Sequence, residues 1–246
     1  MKKAFDGLNF DEFKKLALDE SLSSYEKIGF PDSYRKGFEN LIFKDLNLKL
    51  KKLTSEKINI LDIGPGCSDL ALNIIKNSID KKQNLHLIDS KEMLDLLPDS
   101  HYIKKIEGFF PDPILKNSLK IKFDVVICYS VFHYIFAESS IKKFVKLSSE
   151  ILKIGGQMLI GDIPNISKRN RFFSTKEGIR FHQKFMKSND LPKMIVPKKN
   201  ENHIDDDVLK KLIFEFNAQN CDASILTQPK SLPMYNRRED LLITKY

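Results

Sequence analysis

The sequence predicts an α/β fold in which a mostly parallel sheet is covered by helices on both faces. Three observations predict it. Apolar runs of strand length recur from residue 58 onward, stretches with helical spacing alternate with them, and the first run passes straight into a glycine-rich turn. At 246 residues the chain suits one core of roughly 150–200 residues with added segments.

Residues 1–54 read as a helical N-terminal segment or lid. Phe10, Phe13 and Ala17 fall at i, i+3 and i+7, and Phe38, Leu41, Ile42 and Phe43 follow Pro31, a residue suited to a helix N-terminus. Residues 55–246 then form the main domain. Buried strands are expected at Ile58–Ile63, Leu85–Asp89, Tyr102–Ile106, Phe123–Cys128 and Gln157–Gly161. Helices are expected around Leu70–Ile75 and over Ile141–Ile154, the second stopped by Gly155 and Gly156. Residues 163–204 are polar and lysine-rich and are expected as an insertion over the active edge of the sheet, with a short helix at Lys176–Lys187 and turns at Pro192 and Pro197. A helix over Asp205–Ala218 and two strand-like runs, Ser224–Thr227 and Leu241–Thr244, bring the sheet to seven strands.

Hydrophobic residues make up 41% and charged residues 30%, and no uncharged apolar run reaches the ~20 residues of a membrane span. Asp6, Asp11 and Glu12 stand where a secretory signal would be apolar, so a cytoplasmic chain is expected. Cys67, Cys128 and Cys221 form no metal-type pair, which argues for reduced thiols. The net charge of +8 would permit an acidic partner. Only six cations are arginines, however (Arg35, Arg169, Arg171, Arg180, Arg237, Arg238), which argues against nucleic acid.

The chemistry-bearing segment is Asp62-Ile63-Gly64-Pro65-Gly66-Cys67-Ser68-Asp69, a strand running through a glycine turn into a helix. Such a turn lets the backbone approach a ligand at the carboxyl end of a strand. A dinucleotide fingerprint would place glycine at position 69, and acids at 62 and 69 would repel a pyrophosphate. S-adenosylmethionine, with an ammonium, a sulfonium and no phosphate, suits them. No Gly-Lys-Ser/Thr follows, which excludes a P-loop. Asp89 ends the second strand, where a carboxylate can accept from both ribose hydroxyls. The alternative for Asp89 is the N-cap of the next helix, a role that Ser90 could fill as well.

With these residues the chain resembles the class I, Rossmann-like S-adenosylmethionine-dependent methyltransferases. The matching order is Asp62-x-Gly64-x-Gly66, Asp89, Glu107-Gly108-Phe109-Phe110, Phe123-Asp124-Val125-Val126 leading to Tyr129–Tyr134, and Leu152–Gly156 before the fifth strand. The resemblance covers roughly residues 55–165, and the two C-terminal strands fit the family's antiparallel hairpin. It implies that Asp62 helps hold the methionine ammonium, that Gly64, Pro65 and Gly66 shape the turn under the cofactor, and that Asp89 binds the ribose. It also sets Ser90 and Tyr129 beside the cofactor. Ser68 replaces a frequent third glycine, which is tolerable if it caps the following helix. Phe109 stands where an acid is frequent, so adenine would be held by backbone groups and by packing on Phe109 or Phe110.

Methyl transfer to a weakly acidic hydroxyl needs a base. His133, after the fourth strand, and Asp162, ending the fifth, are the catalytic candidates, with rim packing and helix capping as their respective alternatives. His203 precedes Asp205-Asp206-Asp207, but three consecutive acids diverge on a helix, and no metal is assigned. Arg35 could pair with the cofactor carboxylate, although an exposed arginine is the default reading. Neither the Asn/Asp-Pro-Pro-Tyr/Phe signature of base-amine methylation nor a Pro-Cys nucleophile follows the fourth strand, which leaves a small-molecule acceptor. Lys168-Arg169-Asn170-Arg171 with Lys193, Lys198 and Lys199 could attract an anionic one. Residues 25–35 are loosely similar to bacterial methyltransferases of surface-glycan synthesis, so O-methylation of a sugar or other anionic metabolite is the expectation. An RNA methyltransferase and a non-catalytic S-adenosylmethionine-binding regulatory module are the alternatives.

Overall fold

The computed structural model describes residues 7–196 and 202–246. The expectations for the chain start at Met1–Asp6 and for Pro197, Lys198 and Lys199 lie outside the described residues. Seven strands form one sheet: β1 (Asn59–Ile63), β2 (Asn84–Asp89), β3 (Ile103–Glu107), β4 (Phe123–Tyr129), β5 (Leu152–Pro164), β6 (Cys221–Leu226) and β7 (Arg238–Lys245), in the order β3-β2-β1-β4-β5-β7-β6. The pairs β3–β2, β2–β1, β1–β4 and β4–β5 are parallel, and β7 runs antiparallel to both β5 and β6. This is the Rossmann-like methyltransferase fold expected from the sequence, closing in its antiparallel pair.

β1 and β4 are central because their residues are apolar on both faces. Leu61, Ile63, Val126 and Cys128 enter one core, while Ile60, Val125, Ile127 and Tyr129 enter the other. β3, at the edge, alternates and carries Lys104 and Lys105, charges that blunt an open edge.

Helices fill both layers. On one face α8 (Ile141–Ile151) and α11 (Asp206–Asn217) bring Phe144, Leu147, Leu212 and Phe216 against the sheet. On the other, α5 (Asp69–Asp80) packs beside α4 (Glu39–Lys49), whose Ile42 and Leu46 join the same core as Ile74 and Leu85. The N-terminal segment before α4 holds α1 (Phe10–Leu18), α2 (Ser24–Lys27) and α3 (Asp32–Arg35). Asn9 and Ser23 cap α1 and α2 with complete capping boxes, using Glu12 and Glu26. Pro31 starts only the four-residue α3, and the apolar run from Phe38 belongs to the separate α4 beyond Gly37.

Two boundaries need correction. The helix expected to end at Ile154 ends at Ile151, because Leu152 already pairs with Phe123 as the first residue of β5. Gly155 and Gly156 lie inside that strand, at an irregularity. A Cβ on Gly156 would sit 2.8 Å from the Phe123 carbonyl oxygen, so this glycine serves close strand approach rather than a helix stop. The described residues of the polar segment 163–204 also hold two helices rather than one, α9 (Ile166–Phe173) and α10 (Lys176–Met186). Among the described residues the remaining short helices are α6 (Lys91–Leu94), α7 (Phe132–Glu138) and two 3-10 turns, Lys51–Thr54 and Pro113–Asn117.

Candidate active site

The carboxyl ends of β1, β2 and β4 surround a cavity roofed by the N-terminal segment. β1 runs into Gly64 and Gly66, both with positive φ (66° and 62°), and the Gly64 N–H donates to the Ile88 carbonyl at 2.8 Å. Space as well as backbone demands glycine here. A Cβ on Gly64 would lie 2.7 Å from Val131, and one on Gly66 would lie 2.5 Å from Ile28. The turn is therefore clamped between the loop after β4 and the N-terminal segment.

Asp89, at the end of β2, lines the cavity. Its Oδ2 accepts from the Gly66 N–H at 3.2 Å and its Oδ1 from the Ser90 N–H at 2.8 Å. The alternative capping role is filled by Ser90, whose Oγ accepts from the Met93 N–H and caps α6. That commitment corrects the placement of Ser90 at the cofactor: the side chain is buried and does not line the cavity. The Asp62 side chain is buried two residues before Gly64, does not itself line the cavity, and accepts no hydrogen bond among the described residues. Burial, followed by the nearby Asp89 charge, pushes its carboxyl up to about 8. Burial also raises Asp89, to about 6, against the lowering effect of its two backbone N–H partners.

The partner acid expected at Asp69 is engaged elsewhere, accepting from the Tyr25 hydroxyl at 2.8 Å. Ser68 occupies the N-cap position of α5 but makes no side-chain cap, so the condition attached to that departure is not met in the expected way. Gly64, Pro65, Gly66, Phe109, Phe110 and Tyr129 all reach the cavity wall.

Several wall residues lay outside the motifs. Arg35 is the most consequential, and the default reading of it as exposed is overturned: it is 4% exposed and faces the cavity. Its Nε donates to Glu39 at 3.2 Å and its Nη1 to Ser130 Oγ at 2.9 Å, and the guanidinium lies over the Phe30 and Tyr129 rings. From α1, Phe10 packs edge-on to Phe109 at 5.3 Å and Phe13 to Tyr134 at 4.8 Å, while the Phe10 N–H donates to Glu138 at 2.9 Å. The signal for Arg35 was its place as the sole arginine before the glycine turn. For Phe10 and Phe13 it was the apolar helical spacing, which does not say what a helix covers.

Neither base candidate is brought to the cavity wall. Asp162, at φ 56°, forms a bulge with Gly161 opposite Asp240 of β7. It is 5% exposed, accepts from Ser130 Oγ at 2.6 Å, and lies 3.7 Å from Arg35 and 3.9 Å from Arg238, while its N–H donates to Asp240 at 2.8 Å. A carboxylate so committed is a structural tie, which corrects its assignment as a base. Its alternative as a helix cap is also set aside, because Asn165 caps α9. His133, half-buried on α7, stacks against Tyr134 at 4.0 Å and leaves Nδ1 closed off without a partner. Burial and the Arg238 charge push its imidazole down to about 3.

The donor set fits S-adenosylmethionine. An unpartnered buried carboxylate and a second one at the cavity wall call for cationic or hydroxyl donors. Ile88, Met93, Phe109 and Phe110 offer apolar walls to a planar base. The cavity volume is ≈ 100 Å³, small beside the ~300–1,000 Å³ of ligand pockets.

No protein-family model matches the sequence, and no curated protein resembles it in sequence. Solved structures do resemble it in fold. The plantazolicin methyltransferase BpumL, bound to a monoazolic desmethyl substrate analog and S-adenosylhomocysteine, is 14% identical, with a TM-score of 0.58 over 96% of this chain and 98% of that one. The N-methyltransferase NodS of Bradyrhizobium japonicum, bound to S-adenosylhomocysteine, is 12% identical, with a TM-score of 0.53 over 96% and 97%. A candidate O-methyltransferase of Nostoc punctiforme is 12% identical, with a TM-score of 0.50; the match covers 87% of this chain and 59% of the length of that one. Identity this low carries the fold alone, and the fold is that of the class I methyltransferases.

Proposed function

We propose that this protein is an S-adenosylmethionine-dependent methyltransferase acting on a small-molecule acceptor. The observation that carries the reading is the pair Asp62 and Asp89 at a glycine turn. Both carboxyls are held above their ordinary range, and neither is neutralised by a protein cation. A cationic, ribose-bearing ligand would favour the ionised form of that pair, whereas a pyrophosphate would oppose it. Asp89 would take the ribose hydroxyls, Asp62 the ammonium, Arg35 the carboxylate, and Phe109 with Phe110 the adenine. When bound, the cofactor supplies an electrophilic methyl on a sulfonium.

This chain's part is to orient the acceptor, exclude water and manage its proton. α1 forms one wall of the cavity through Phe10 and Phe13, which pack on Phe109 and Tyr134. Among the described residues no poised base stands in the cavity: Asp89 is held by two N–H groups, Glu138 takes the Phe10 N–H, Asp162 is tied into its network, and His133 remains neutral with little affinity for a proton. An aliphatic hydroxyl would need such a base. The acceptor class proposed therefore shifts from a sugar hydroxyl to a group already nucleophilic at neutral pH: an amine, a thiolate or an acidic hydroxyl.

The test is thermal unfolding with added ligands. S-adenosylhomocysteine at about 100 times its Kd should stabilise the chain by about 2.7 kcal/mol, whereas NAD and NADP should not stabilise it. Stabilisation by NADP alone would overturn the reading. A labelled-methyl assay across amines, thiols and sugars tests the acceptor class, and turnover confined to sugars would restore the hydroxyl.

A further inference from the structure

Among the described residues, the charged side chains on the cavity wall are Arg35, Asp89 and Glu138. The methyltransferase reading gives the first to a carboxylate and the second to a ribose, and it leaves Glu138 without a ligand. Glu138 ends α7. The cavity face of that helix and its N-cap runs Val131, Tyr134, Ile135, Glu138, the i, i+3, i+4, i+7 spacing of one helix side, and Glu138 carries its only charge. The residue is exposed, and its Oε1 accepts from the Phe10 N–H at 2.9 Å. Its Oε2 has no donor among the described residues, so one oxygen is committed to α1 and the other is open to a ligand.

The order of groups along the sheet says which part of the ligand meets it. From β4 through β1 and β2 to β3, the carboxyl edge presents Ser130 with its Arg35 contact, the Gly64–Gly66 turn, Asp89, and the loop of Gly108 and Phe109, whose Gly108 N–H donates to the Asp89 carbonyl at 3.0 Å. S-adenosylmethionine has the same order of carboxylate, ribose and purine, so its purine falls at the Phe109 end. Phe10 connects that end to Glu138. Its ring packs on Phe109 at 5.3 Å, and its N–H is the donor that Glu138 takes. At ~1.5 Å per residue, Glu138 stands about 10 Å along α7 from Val131, at the end away from Ser130 and Arg35.

Adenine carries an exocyclic amine, a donor that a carboxylate oxygen complements with a charge-assisted hydrogen bond, and that the rings of Phe10 and Phe109 cannot serve. We infer that Glu138, on α7, stands in for the acid absent at Phe109: its open oxygen accepts from the exocyclic amine and makes the site select a 6-aminopurine. The inference rests on the S-adenosylmethionine reading and deepens it, adding a specificity residue that lies outside the motif order. The same carboxylate keeps the Phe10 N–H, so it ties α1 to the purine.

The probes are S-adenosylhomocysteine and its 6-deamino analogue, in which purine replaces adenine and only the amine is missing. Their affinities are measured by calorimetry on the full chain, on Glu138→Leu, which keeps side-chain bulk without the oxygens, and on Glu138→Ala. The parent should bind the analogue at least about tenfold more weakly, the low end for losing a hydrogen bond to a charged group. In both variants the ratio should fall to about twofold or less. A Glu138 that only holds α1 in place would weaken both ligands alike, so an unchanged ratio in the variants overturns the inference. Equal affinity of the parent for the two ligands overturns it too, as does failure of both variants to fold, which would make Glu138 a structural residue. Failure of the parent to bind either ligand would instead remove the reading beneath it.

Discussion

Asp89 separates a ligand-binding carboxylate from a structural one. Because Ser90 caps α6, removing the Asp89 carboxylate leaves that helix end satisfied. Asp89→Ala should weaken S-adenosylhomocysteine binding by about 1.5–3 kcal/mol, the range for hydrogen bonds to a charged group, with little change in melting temperature. Calorimetry showing intact affinity and a destabilised fold would return Asp89 to a structural role. Asp62 makes a different prediction. Its carboxyl sits at about 8 in the folded chain against 3.8 as the ordinary value, so the native state binds more protons than the unfolded one between those limits. Its contribution to stability is therefore full below about pH 4 and falls as pH rises toward 8. Asp62→Asn should match the parent at or below about pH 4 and melt higher at pH 8.5. In the parent, stabilisation by S-adenosylmethionine should grow over the same window as the two acids ionise. A variant less stable than the parent at pH 8.5 would show that the carboxylate has a partner in solution.

At the scale of elements, β5 carries most of what the sequence left unread. Its core, Gln157–Gly161, is legible from apolar residues, but the strand extends to both sides because Leu152 pairs with β4 and Pro164 with β7. Pairing of this kind is decided by neighbours distant in sequence, which local periodicity does not report. The same holds for Asp162. A polar residue at a strand end reads equally as cap, base or tie, and only the bulge opposite Asp240 shows which it is. Asp162 and Asp240 together connect Arg35, Arg238 and Lys49, so they join α3 and α4 to the ends of β5 and β7. Asp162→Ala should cost about 3–5 kcal/mol of stability, the penalty for breaking a buried charged contact and leaving its partners uncompensated. Chemical denaturation gives this directly. A stable Asp162→Ala protein without methyl transfer would instead revive its role as a base.

For the whole molecule, the glycine turn, the strand-end position of Asp89 and the mostly parallel seven-stranded sheet were legible because they rest on local backbone demands and on β/α alternation. The roof of the site was not. Phe10, Phe13 and Arg35 act on residues about 95 to 130 positions away, and nothing in their spacing names those partners. The structure divides the N-terminal segment into two physical parts. Ile42, Leu46, Leu50 and Leu53 are at most 1% exposed and share a core with β1 and α5. α1 instead rests on the cavity rim through two ring contacts and the Phe10 N–H bond to Glu138, and Lys27 Nζ donates to its Ala17 carbonyl at 2.7 Å, with Ala17 as its only fully buried residue. Deleting residues 1–18 should therefore leave a chain that still unfolds cooperatively but releases S-adenosylhomocysteine much faster, because the wall that closes over the ligand is gone. Deleting residues 1–54 should yield no folded protein: each fully buried Leu or Ile side chain contributes roughly 1.5–3 kcal/mol, and four such losses equal a large part of a typical domain's stability of about 5–15 kcal/mol. Stopped-flow release rates and denaturation curves on the two truncations separate the parts. Unchanged release from the shorter truncation would make α1 a passive cover, and a folded longer truncation would show that the sheet and α5 can close their core without α4.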